Sequence, residues 1–221
     1  MELKKYLRNE EGSYFYRSYY RDYIGKDVTG KNGKPKKELI YAGDYYTAEL
    51  SDRNLKLMKL LQPALLLCSF MFYLWASAKD IALNREWLSM AVQGFSVIAF
   101  IFYISAVVQY IVRPVRMTIW QYSISSLSLK KTSRITAVCM LIAAAEGIFL
   151  CIADRSLLET EVYICSAAWI ISALCAFMAF FTENAVNYKK EPSDEKLALE
   201  AEAAARRREI LLAAAVRGSH N

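Results

Sequence analysis

Histidine is almost missing from this chain of 221 residues. The single one, His220, stands in Arg217-Gly218-Ser219-His220-Asn221, and residues 217–221 read as the remnant of an expression tag. Setting them aside removes histidine bases, histidine metal ligands and Ser-His or Cys-His catalysis together. Cysteine is present but unpatterned. Cys68, Cys139, Cys151, Cys165 and Cys175 all lie in apolar stretches, and none forms a C-x-x-C pair or a metal-ligand spacing. They read as buried structural thiols, with a Cys151–Cys165 bridge as the one conceivable pairing. No catalytic set, metal site or cofactor motif is expected. The N-terminal MELKKYLRNEEGSYFYRSYY has no continuous apolar core and no small-residue cleavage site, so a cleavable signal peptide is not expected. No internal repeat or low-complexity run stands out.

Long apolar runs are what the chain has in abundance. Hydrophobic residues make up 55% of it, and they fall in four blocks rather than at amphipathic spacing. A soluble bundle would need polar outer faces on its helices, and these blocks have none. About twenty such residues cross a bilayer as a helix. The expected fold is therefore an all-α integral membrane protein, with four transmembrane helices in an antiparallel bundle. The expected spans are 57–78, 87–112, 135–153 and 162–182, within a membrane domain of residues 55–188.

The segments around these spans differ in character. Residues 1–54 are polar and basic. Tyr14, Phe15, Tyr16, Tyr19, Tyr20 and Tyr23 suit a helix over Ser13–Ile24, lying at the headgroups or packed on the bundle and ended by Gly25. Asn32-Gly33 and Pro35 are turn chemistry, and ELIYAGDYYTAEL reads as one or two short strands broken at Gly43. A small β-hairpin is thus expected before the first span. Ser51 or Asp52 can cap that first helix, and Pro63 should bend it. Met117–Leu129 alternates too irregularly to choose helix or strand. It suits an extension of the second helix or an amphipathic segment on the inner surface. After Pro192, Ser193 is an N-cap candidate for a cytoplasmic helix over 189–216, rich in Ala, Leu, Glu and Arg, in which Glu202 and Arg206 form an i,i+4 pair.

The net charge of +6 is a matter of orientation rather than of nucleic-acid binding. The loops near Lys79/Arg85 and Arg155 are short and carry nearby acids. Nearly all other lysine and arginine falls in the N-terminal segment, the 113–134 loop and the 189–208 tail. Both termini are expected in the cytoplasm, in the plasma membrane of a prokaryote.

Only one acid interrupts the third span. Glu146 lies about 18 Å along the helix from Arg134. The same depth on the other spans falls near Ser69 and Tyr73, Gln93 and Ser96, and Ser166 and Ser172. No lysine or arginine is available there, so Glu146 is expected to face the interior, neutral, and bonded to some of these groups. They are the candidates for binding a proton, cation or small solute. Ala143 and Gly147 on the third helix, with Ala168, Ser172 and Ala176 on the fourth, repeat at a spacing that lets membrane helices approach closely.

Three function classes follow. A non-enzymatic accessory, scaffold or assembly subunit, acting through helix–helix and cytoplasmic contacts, fits the lack of a catalytic set. The alternative is an oligomeric channel or transporter built on Glu146, though no broken helix or inverted repeat marks a transporter. A membrane enzyme using Asp154, Arg155, Glu159 and Glu161 is the least favoured. The expected partners are the lipid bilayer and either a second copy or another membrane protein, and not nucleic acid.

Overall fold

The computed structural model describes residues 22–29, 35–153 and 160–218. The described chain runs β1 (Tyr23–Thr29), β2 (Pro35–Tyr41), β3 (Asp44–Ala48), α1 (Asp52–Ser77), α2 (Ala82–Arg85), α3 (Trp87–Val112), β4 (Arg116–Thr118), α4 (Ile119–Tyr122), a π-helical turn (Ser123–Leu127), α5 (Ser128–Ala153), α6 (Thr160–Asn184), β5 (Tyr188–Pro192) and α7 (Asp194–Gly218). It divides into two compact units: residues 48–115 with 121–188, and residues up to 47 with 116–120 and 189 onward.

The first unit holds four helices long and apolar enough to cross a membrane: α1, α3, α6, and the continuous stretch Ile119–Ala153 that includes α5. Their interior combines small residues, among them Ala137, Ala143, Ala144, Ala168, Ala173, Ala176 and Ala179, with the large side chains of Phe100, Tyr103, Tyr110, Met140 and Trp169. Their outer surface is apolar, with Leu60, Met71, Phe95, Phe102, Phe149 and Phe181 exposed. Lipid removes the incentive to bury bulk and rewards close backbone approach, so this distribution is that of a membrane-embedded protein. The most extensive helix contact is α5 on α6, followed by α1 on α6 and α3 on α5. Gly147 shows how close the approach is. A Cβ built there would come within 3.1 Å of Leu83 Cδ2 and of Ser166 Oγ.

Ser51 caps α1, accepting from the Asn54 amide at 3.3 Å, and the helix continues through Pro63. Asn84 closes its other end, donating from Nδ2 to the carbonyls of Ala76 and Lys79 at 3.1 and 2.8 Å. The Ala76 carbonyl also accepts from the Lys79 amide at 3.4 Å, and Lys79 lies just past the last turn. The segment before α5 departs from expectation. It continues the third long helix rather than the second, through α4 and the π-helical turn. Within it Ser125 donates to the Gln121 carbonyl at 2.6 Å, as Ser133 of α5 does to Leu129 at 2.7 Å, while Ser126 bonds across to Glu183. That back-bonding lets a serine-rich stretch stay helical while buried.

The second unit corrects the all-α reading. β1 and β2 form an antiparallel hairpin in the register Tyr23↔Tyr41 through Thr29↔Pro35. The expected helix over Ser13–Ile24 meets strand at Tyr23 and Ile24, and Gly25 lies inside β1 rather than ending a helix. Pairing with the β-prone Leu39-Ile40-Tyr41 overrides the aromatic pattern there. The rest of that helix, the Asn32-Gly33 turn, Asp154, Arg155 and Glu159, and residues 219–221 lie outside the described residues. Ala42-Gly43 breaks the next strand from β2, and β3 pairs instead in a second sheet of order β4-β3-β5. Ser193 accepts from the Lys196 amide at 3.1 Å and so caps α7.

Asp44 anchors this sheet to α7. Lys196 Nζ lies 2.7 and 2.8 Å from its two oxygens, and Lys190 Nζ lies 3.1 Å away. The hydrogen bond from Lys196, then the charge and bond of Lys190, hold the Asp44 carboxyl below the usual carboxylate range. A depressed folded pKa contributes stability that is present above the unfolded value and lost as pH falls through the folded one. Protection of the β3 and β5 amides, corrected for intrinsic exchange, is therefore expected to fall below about pH 4. Asp44→Asn should remove that pH dependence, and an unchanged acid profile in the variant would contradict the assignment.

Candidate functional site

The polar groups of the long helices collect in two places. At the end where α3 and α6 finish, α3 stops at Val112 because Arg113 and Pro114 follow. Arg113 does not leave for solvent. Its side chain is 2% exposed and lies 3.5 Å from Glu183 Oε1, whose side chain is fully buried. Tyr188 bridges the pair, accepting from Arg113 Nη1 and donating to Glu183 Oε1, both at 2.5 Å. Ser126 of the π-helical turn donates to the same oxygen. The Arg113 guanidinium also stacks 3.7 Å from the Tyr110 ring. Lys59 of α1 donates to the Arg113 carbonyl at 2.8 Å, and Lys130 of α5 lies 6.0 Å from the Tyr188 ring. Burial, then the adjacent Glu183 carboxylate, push the Tyr188 phenol well above its usual range, so it stays protonated and can donate.

This cluster draws side chains or carbonyls from every long helix. Among the described residues Arg113 Nη2 and Glu183 Oε2 lack a well-aligned hydrogen bond, and the Tyr110 hydroxyl lies beside Glu183. Sequence reasoning missed it, because Arg113 and Glu183 each read as an ordinary flanking charge. The available signal was their opposite sign at the same end of two spans.

The other place holds the residues the sequence singled out. Glu146 is half-buried and accepts from Ser89 Oγ at 2.6 Å. The donor is Ser89, a residue outside the set singled out in the sequence. Ser126 of the π-helical turn is level with Arg113 and Glu183, so Glu146 lies about 30 Å along its helix from that level, the same depth at which Gln93 lies from Arg113.

The remaining candidates form bonds of their own. Ser69 and Ser172 lock α1 to α6 reciprocally, each hydroxyl donating to the other's carbonyl at 2.9 and 2.8 Å. Tyr73 donates to the Gln93 carbonyl at 3.0 Å, and Gln93 Nε2 to Asn84 Oδ1 at 2.8 Å. Ser96 donates to Val92 of its own helix. The Ser166 hydroxyl is buried without a partner. Ala143, Gly147, Ala168, Ser172 and Ala176 are all buried along α5 and α6. The five cysteines are free thiols. Among the described residues no group of three His, Cys, Asp or Glu side chains could hold a metal ion.

α7 is the other conspicuous element. From Leu197 to Ile210 every residue is exposed, including Leu197, Leu199 and Ile210 at 50, 42 and 68%. No family model, curated protein or solved structure matches this chain.

Proposed function

We propose that this protein is a membrane-embedded assembly subunit, in which the four long helices form an antiparallel bundle and α7 is the arm that engages a partner. The observation that carries this reading is the exposure of α7 from Leu197 to Ile210. An isolated helix of this size is marginal in water, and most helical stability in proteins comes from packing. A helix without a surface in its own chain gains that packing from another. The hydroxyls and amides of the bundle support the same reading, since Ser69, Ser172, Gln62 and Tyr73 tie helix to helix. The excess of basic residues in 1–54, 113–134 and 189–208 supports a cytoplasmic side for these segments. β3, β4 and β5 come one from each of these segments and share one sheet, which supports a common side for all three.

The test is the size of the complex extracted from its own membrane. It is expected to exceed a monomer and to collapse to one when residues 194–218 are removed. An unchanged size would overturn the reading.

The conduit reading keeps one observation in its favour, the half-buried acid Glu146 beside Ser89. Glu146→Gln retains an acceptor for Ser89 and is expected to leave thermal stability and complex size unchanged. Proton flux into liposomes carrying either protein is expected to stay at the level of empty liposomes. A flux that depends on Glu146 would favour the conduit.

A further inference from the structure

We propose that α7 pairs with α7 of a second copy of this chain, side by side and in opposite directions. The proposal rests on the assembly reading and names its partner. It is carried by an exposed helix whose two halves are complementary in charge. The first half holds Asp194, Glu195, Glu200 and Glu202, and its one cation, Lys196, is bound to Asp44. The second half holds Arg206, Arg207 and Arg208 against the one acid Glu209.

Two copies laid parallel would set acid beside acid and the arginine triplet beside its twin. Laid antiparallel, with the crossing near Ala204 and Ala205, each acidic half faces a basic half, and the contact is its own mirror under a two-fold axis. Arg206 is already paired with Glu202 of its own helix at 2.6 Å. Arg207, Arg208 and Glu200 are exposed. At this crossing Arg207 comes level with Glu202 of the other copy, and Arg208 falls one residue from Glu200, which is itself level with Glu209. Ala201, Ala203, Ala204 and Ala205 let the helices approach closely at the centre. Leu197, Ala201, Ala204, Arg208, Leu211 and Ala215 recur at intervals of three and four, along one stripe of the helix. The same order of charges also suits the helix dipole of a single copy. The basic second half also suits anionic lipid. The experiment separates these.

Full-length protein in detergent is brought to a dilution series, and its mass distribution is read. Wild type is expected to be dimeric. Two variants are made, Glu200→Lys/Glu202→Lys and Arg207→Glu/Arg208→Glu. Each alone is expected to dimerise at least tenfold more weakly, because like charges then meet at both ends. Mixed in equal amounts they are expected to recover the wild-type affinity, which also shows that both remain folded. Direction is read from nitroxide labels at Ala198→Cys or Ala205→Cys, in a background with the native cysteines replaced by alanine. Antiparallel pairing brings the two labels at 205 together, and separates those at 198 by about 20 Å along the axis. Equal short distances at both sites would overturn the proposal. So would a monomer at every concentration, or monomers bound to anionic vesicles through α7. If such a monomer still loses a larger native complex on removal of residues 194–218, self-pairing fails and the assembly reading stands. If removal changes no complex, the assembly reading fails with it.

Discussion

Replacing Glu183 with alanine is expected to cost about 3–5 kcal/mol of folding stability, the largest effect of any single substitution in the long helices. The loss comes less from the missing attraction than from what remains. Arg113 is buried, and without Glu183 its guanidinium would hold a full charge with only Tyr188 and the Tyr110 ring beside it. Tyr188 and Ser126 would also lose their acceptor. The reverse substitution, Arg113→Met, leaves an uncompensated carboxylate and should cost a similar amount. The double variant Arg113→Met/Glu183→Leu is expected to recover most of the loss, because two apolar side chains carry no desolvation cost. Unfolding in mixed micelles, analysed as a double-mutant cycle, provides the check. Single and double variants that simply add would show that the two charges do not depend on each other. Lys59 bonds to the Arg113 carbonyl, so that contact should survive in every variant.

Gly147→Leu is expected to be the next most damaging change. Even the first added carbon would sit 3.1 Å from Leu83 Cδ2 and Ser166 Oγ, and 3.5 Å from Trp169 Cζ3. Leu83 and Trp169 are fully buried and have nowhere to go. Overpacking of this kind costs about 1–3 kcal/mol, and more where the neighbours cannot move. Leu150→Ala, at a half-buried position on the same helix, should cost less. Ser172→Leu should behave like Gly147→Leu, because it adds bulk and breaks the reciprocal bond to Ser69. Equal melting temperatures for the three variants in detergent would show that α5 and α6 do not depend on close approach.

The long helices were legible because a run of apolar residues has one physical meaning at that length. The span 87–112 coincides with α3 to the residue. The start of the third helix was not legible. Met117–Leu129 has neither helical nor strand periodicity, and the helical state of Ser125 shows only in its bond to the Gln121 carbonyl. Gln93, Ser69 and Tyr73 were recognised as polar groups near one depth, while Ser89, the donor to Glu146, was not singled out. The Arg113–Glu183 pair spans seventy positions of sequence, and its meaning exists only once α3 and α6 end together. β5 was hidden for the same reason. Tyr188-Lys189-Lys190-Glu191-Pro192 looks like a charged exit until β3 supplies its partner.

That partner has a consequence for biogenesis. β3 leaves the ribosome early, β4 after two long helices, and β5 only after all four. The three-stranded sheet can therefore be completed only after all four long helices have been made. Until Tyr188–Pro192 emerge, β3 keeps a free edge, with unpaired backbone groups that invite pairing with other nascent chains. The Ser193 amide bond to the Gly43 carbonyl closes that edge and marks a chain whose four helices have all been made. A quality-control protease that recognises open strand edges would thus distinguish finished from stalled copies without reading the membrane segments at all.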